Sequence, residues 1–145
     1  MKLETRGPGW TNNSPRHAGQ VILLVEDESF VRDVTREVLV HAGYQVIESS
    51  NAKDALQLAS EHAGSIDLLL TDLVMPGMSG AELAQCLRHA KPGLATIFMS
   101  GYAETDAAQT MKSASAIHIQ KPFTVDALLA QVAQALRPDS GGVPA

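Results

Sequence analysis

The ten residues 68-LLLTDLVMPG-77 hold six strongly apolar side chains and, in their midst, Asp72. A carboxylate among apolar groups is costly unless it is paired or sits at an opening. The run that leads up to it, 66-IDLLLTD-72, is continuous rather than alternating. That pattern predicts a strand covered on both faces, which delivers one acid to its carboxyl end.

Working outward, the same kind of run recurs at 21-VILLV-25, 44-YQVIES-49, 94-LATIFMS-100 and 116-AIHIQ-120. Between the runs, apolar residues fall at helical spacing. Phe30, Val31, Val34, Val38 and Ala42 predict a helix stopped by Gly43. Ala52, Ala55, Leu56, Ala59 and Ala63 predict a second, stopped by Gly64. Ala81 to Ala90 make a third, with Leu83 and Leu87 inward and Cys86 beside the apolar face as a partly buried, inert thiol. Residues 103–112 make a fourth, weaker helix whose apolar side is mostly alanine. Val125, Leu128, Leu129, Val132, Ala133 and Leu136 define the clearest helix, and Thr124 is placed to cap it. Strands alternating with helices imply a parallel sheet covered on both faces, joined by right-handed crossovers.

The chain has 145 residues and formal net charge −5, with 45% apolar and 19% charged residues. This is the balance of one soluble domain of ordinary size. Residues 1–19 and 138–145 are rich in Gly, Pro, Asn and Ser and read as flexible tails around a domain at 20–137. The basic residues are scattered, which argues against a nucleic-acid partner. No signal peptide and no run long enough to span a bilayer is visible, so the expected location is cytoplasmic, without membrane contact. With Cys86 the single cysteine, an intrachain disulfide and a thiolate zinc site are excluded. The histidines show no metal spacing. His41, His62 and His89 fall near helix C-termini, where partial positive charge is welcome.

In an open parallel sheet the working site lies beyond the carboxyl ends of the strands. There stand Glu26 and Asp27 after the first strand, Asp72 at the end of the third, Ser100 at the end of the fourth, and Lys121, then Pro122, after the fifth. Like charges at about 4 Å repel by roughly 4 kcal/mol per pair at an effective dielectric near 20. A hard divalent cation offsets this, and Mg²⁺ suits carboxylates, water and phosphate oxygens. A cation, an ammonium and a hydroxyl around a carboxylate favour phosphoryl transfer onto that carboxylate. Taken singly, each feature has a plainer reading. The acidic pair could cap a helix, Ser100–Gly101 could be a turn, and Lys121–Pro122–Phe123 a surface loop.

Four motifs, VEDE (25–28), LLTDLVMPGMSG (69–80), MSGYAE (99–104) and QKPF (120–123), stand in this order on the βα framework. Over residues 20–137 the chain resembles the receiver domain of two-component response regulators, and its SGYAE wording is similar to receivers attached to hybrid histidine kinases. The resemblance implies a flavodoxin-like (βα)5 doubly wound sandwich with its five-stranded parallel sheet in order 2-1-3-4-5. It implies Asp72 as phosphoacceptor, taking its phosphoryl group from a histidine kinase or phosphotransfer protein in a phosphorelay. Mg²⁺ would be held by Glu26, Asp27, Asp72 and the backbone carbonyl of Val74, with Glu26 acting mainly through water. Ser100 would be the switch hydroxyl and Lys121 the charge neutraliser, with a cis Lys121–Pro122 bond. The output would be contact with other proteins through the fourth helix, fifth strand and fifth helix (103–137), a surface that also allows a homodimer. Such a chain is a phosphorylated signalling domain rather than an enzyme, limited to self-phosphorylation from a donor and slow autodephosphorylation. It has no room for a DNA-binding output domain or a kinase core, and would stand alone or work beside, or as part of, a hybrid kinase.

The chain departs from the pattern three places before the lysine, where the family usually has an aromatic residue and this sequence has His118. The switch role then falls to His118 or is shared with Tyr102. Val74 and Tyr102 are expected to shield the phosphoryl group and slow its hydrolysis. Three rivals remain to be weighed. A haloacid-dehalogenase-type phosphatase would want a second aspartate where Val74 stands, and a flavodoxin-like electron carrier would want a phosphate loop where the acidic EDES stands. A receiver-like interaction module that no longer switches by phosphorylation is the alternative that His118 keeps open.

Overall fold

The computed structural model describes residues 19–101 and 116–137. The fourth predicted helix, Tyr102 and the two tails up to residue 18 and from residue 138 lie outside the described residues. Five strands are present: β1 (Val21–Val25), β2 (Gln45–Ser49), β3 (Leu68–Asp72), β4 (Ala95–Ser100) and β5 (Ala116–Gln120). Four helices accompany them: α1 (Ser29–His41), α2 (Ala52–Glu61), α3 (Gly80–Ala90) and α4 (Val125–Ala135). All pairings are parallel and the sheet order is β2-β1-β3-β4-β5, the order expected from the sequence.

The continuous apolar runs follow from burial on both faces. Ile22, Leu24, Leu68, Leu70, Ile97, Met99 and Ile119 point to one side, where Leu39 of α1 and Leu128 and Val132 of α4 close over them. Leu23, Val25, Leu69 and Phe98 point to the other, under Ala52 and Ala55 of α2 and Leu83 and Ala84 of α3. Every residue of β1 and β3 is buried, whereas the edge strand β2 exposes Gln45 and Glu48.

Local chemistry sets the element ends. Asn51 caps α2 by accepting from the Asp54 amide, and Thr124 caps α4 by accepting from the Ala127 amide. Ser79 and Glu82 form a reciprocal capping box at the start of α3. Gly43 follows α1 at φ 105°, a conformation that suits glycine. Three sequence expectations are corrected here. Helix α2 ends at Glu61, before Gly64, because its C-cap His62 already turns extended. Cys86 is exposed rather than partly buried, because α3 turns Gly80, Leu83 and Ala84 inward. Strand β3 starts at Leu68 rather than Ile66. Asp67 instead accepts from the Val21 amide at 2.8 Å through its side chain and donates its own amide to the Val21 carbonyl at 2.9 Å. Among the described residues, no helix is long and apolar enough to cross a membrane.

Candidate functional site

The carboxyl ends of β1, β3, β4 and β5 form one rim. Past β1 come Glu26, fully buried, and Asp27, exposed. Asp72 closes β3 and Ser100 closes β4, both buried. Hydrogen bonds carry the sheet past the strand ends and fix these positions: the Glu26 amide to the Ser49 carbonyl, the Leu73 amide to Met99, and the Lys121 amide to Ser100 at 2.8 Å. The Lys121–Pro122 peptide is cis.

Lys121 draws the rim together. Its ammonium donates to Asp72 Oδ1 at 2.8 Å and to Glu26 Oε1 at 3.1 Å. The other Glu26 oxygen accepts from the Glu28 amide at 3.0 Å, and Asp72 Oδ2 lies 3.4 Å from the Asp27 amide. Burial pushes the Asp72 carboxyl up to about 8; the hydrogen bond and charge of Glu26 add to this, and Lys121 opposes it. Burial alone would lower the Lys121 ammonium, but hydrogen bonds and charges from Asp72 and Glu26 outweigh it and raise the group above the usual lysine range. The pocket is therefore short of positive charge.

Among the described residues, Glu26, Asp27 and Asp72 offer one carboxylate oxygen each within 4.8 Å of one another. This all-oxygen donor set fits a hard cation such as Mg²⁺. Both Glu26 oxygens are already engaged by protein donors, which fits a role through water, whereas Asp27 faces solvent. Val74 follows two residues after Asp72 with an exposed side chain. His118 is half-buried in β5, its ring tilted against its cross-strand partner Phe98 with centroids 5.3 Å apart.

Two contributors escape sequence reasoning. Gly80, the first residue of α3, packs so closely that a Cβ there would collide with the Asp72 carbonyl oxygen and sit 3.1 Å from the Leu73 Cα. Its amide donates to the Leu73 carbonyl at 2.9 Å. The S-x-x-E pattern at 79–82 marks the helix start and so could have located Gly80 at its first position. Arg32 donates from Nη1 to the Glu26 carbonyl at 2.7 Å, and no local motif signals that contact.

Comparison with known proteins places the chain in a family. The profile of the response regulator receiver domain matches residues 22–133. The chain belongs to the response regulator receiver family. The receiver is 36% identical over 116 residues to the sensor kinase CckA of Brucella abortus, covering 79% of this chain and 12% of that protein. It is 33% identical over 106 residues to sporulation initiation phosphotransferase F of Bacillus subtilis, covering 72% of this chain and 84% of that one. Of the regulatory protein YrkP of Bacillus subtilis it spans about half, 49%. A receiver domain from Clostridium thermocellum superposes with TM-score 0.77 at 26% identity, over 86% of this chain and 99% of the other. The receiver domain of the hybrid histidine kinase CckA superposes with TM-score 0.69 at 33% identity, over 81% and 99%. The receiver is thus a signalling domain of two-component systems, homologous to phosphoacceptor receivers.

Proposed function

We propose that Asp72 accepts a phosphoryl group from a phosphohistidine of a histidine kinase or phosphotransfer protein in a cytoplasmic phosphorelay. The observation that carries this reading is the Lys121 ammonium held between Asp72 and Glu26, where three carboxylates converge. An Asp72 oxygen attacks phosphorus, an O–P bond forms, the P–N bond to the donor breaks, and the leaving imidazole keeps the electron pair and takes a proton. Lys121 steadies the charge on the transferring group, and Ser100 on the neighbouring strand end supplies a hydroxyl to it. Mg²⁺ bound by Asp27, Asp72 and the Val74 carbonyl, and by Glu26 through water, would spread that charge further. The result leaves by protein contacts that involve β5 and α4.

A donor protein must bring its histidine to this rim. Beside it lies an apolar groove of about 430 Å³ lined by Phe30, Val31 and Val34 of α1 and by Lys121, Pro122 and Phe123. Phe30 is 78% exposed, a large apolar side chain with little burial of its own. An amphipathic helix of the donor fits such a groove. Phe30→Ala should slow transfer from the partner about tenfold, as for a central contact residue, while labelling by acetyl phosphate is unchanged.

Incubation with acetyl phosphate and Mg²⁺, followed by intact-mass measurement, tests the core of the reading. One phosphoryl adduct is expected, absent in Asp72→Asn. An unmodified wild-type mass under donor excess and with Mg²⁺ bound would overturn it, leaving an interaction module that does not switch.

A further inference from the structure

We infer that Arg32 is a positioning residue for this site, orienting the peptide that joins Glu26 to Asp27 and, through it, the Asp72 carboxylate. The inference rests on the reading of the rim as a cation and phosphoryl site. A peptide unit is planar, so its C=O and N–H point in fixed opposite directions. In the 26–27 peptide, the carbonyl accepts from Arg32 Nη1 at 2.7 Å and the amide faces Asp72 Oδ2 at 3.4 Å. One rigid plate is held by the guanidinium on one side and by the acceptor aspartate on the other. If the guanidinium is removed, the plate can rotate, and both the Asp27 side chain and the Asp72 oxygen lose their reference.

Arg32 is itself braced. Its Nε lies 3.5 Å from Glu48 Oε1 on the edge strand β2, and Arg36 Nε lies 3.4 Å from the other Glu48 oxygen. The Arg32 amide is bonded to the Glu28 carbonyl at 2.9 Å in the first turn of α1. The guanidinium fork serves two partners at once, which a lysine ammonium cannot do with the same geometry. Outer partners of this kind typically alter metal affinity by about 10–100-fold when removed.

The test is Mg²⁺ titration calorimetry on the full chain, beside amide NMR and melting in EDTA. Arg32→Ala should weaken Mg²⁺ binding about tenfold and shift the Asp27 amide resonance, with Arg32→Lys restoring part of the affinity. Glu48→Gln should move both readouts in the same direction by less. Val38→Ala, on the same helix and packed on the core away from the rim, is the stability control. If Arg32→Ala changes affinity and the Asp27 amide no more than Val38→Ala does, the assignment is overturned and Arg32 is merely structural. If Arg32→Ala fails to fold, the same comparison is made with Arg32→Lys, whose identity to wild type in both readouts would overturn the assignment. A wild type that binds no Mg²⁺ sinks the reading of the rim and this inference together. A wild type that binds normally beside an equally competent Arg32→Ala sinks only the inference.

Discussion

Asp72 holds its proton well above the ordinary carboxylate range because it is buried beside Glu26. The unfolded chain releases that proton near 3.8, the folded chain near 8. A raised acid favours the folded state only while protonated, so this group costs stability progressively as pH rises from about 4 to about 8. Asp72→Asn removes that cost. In EDTA the variant should melt higher than wild type at pH 7, by roughly 2–4 kcal/mol of stability. The gap should narrow toward pH 5, and melting curves of both chains from pH 5 to 9 would isolate the effect. Lys121 invites a second experiment at this scale. It occupies the carboxylates that a divalent cation would use, so Lys121→Met should raise Mg²⁺ affinity several-fold while slowing phosphorylation; calorimetry beside acetyl phosphate kinetics separates the two. These acids and the lysine were legible in the sequence because the strand runs end at them. The Arg32 contact was not, because it joins a side chain to a backbone carbonyl six residues earlier, which no periodicity encodes.

Helices and strands were legible where burial is continuous or strictly one-sided. Strands β1 and β5 have the bounds their apolar runs suggested. Strand β3 starts two residues later than its apolar run implies, because Asp67 binds the Val21 amide through its carboxylate. The outward position of Cys86 is not legible in the sequence, because a thiol one step from an apolar stripe carries no sign of its side. The most demanding joint between elements is that of α3 with β3. A methyl group at position 80 would collide with the Asp72 carbonyl, so backbone must shift. Gly80→Ala should therefore destabilise the fold by about 1–3 kcal/mol, the range for overpacking, despite alanine's better helix propensity. It should also impair phosphorylation at Asp72 more than a comparably destabilising core change such as Val132→Ala. Urea melts with acetyl phosphate labelling of both variants would check this.

At the scale of the molecule, the site exists only when the sheet is complete. Lys121 and Glu26 are 95 positions apart, and Lys121 and Asp72 are 49 apart. Cation binding must then stabilise the entire fold by mass action, by about 2.7 kcal/mol when Mg²⁺ is at a hundred times its dissociation constant. Thermal melts across a Mg²⁺ series should rise accordingly in wild type and much less in Asp27→Asn. The exposed turn at Gly64–Ser65 lies between β1 with its acids and β3 with its own. A nick there would leave Glu26 and Asp27 on one fragment and Asp72 and Lys121 on the other. Neither piece would own a complete donor set, so magnesium would favour their reassembly by the same linkage, and the severed chain would respond to the ion as a two-part reporter.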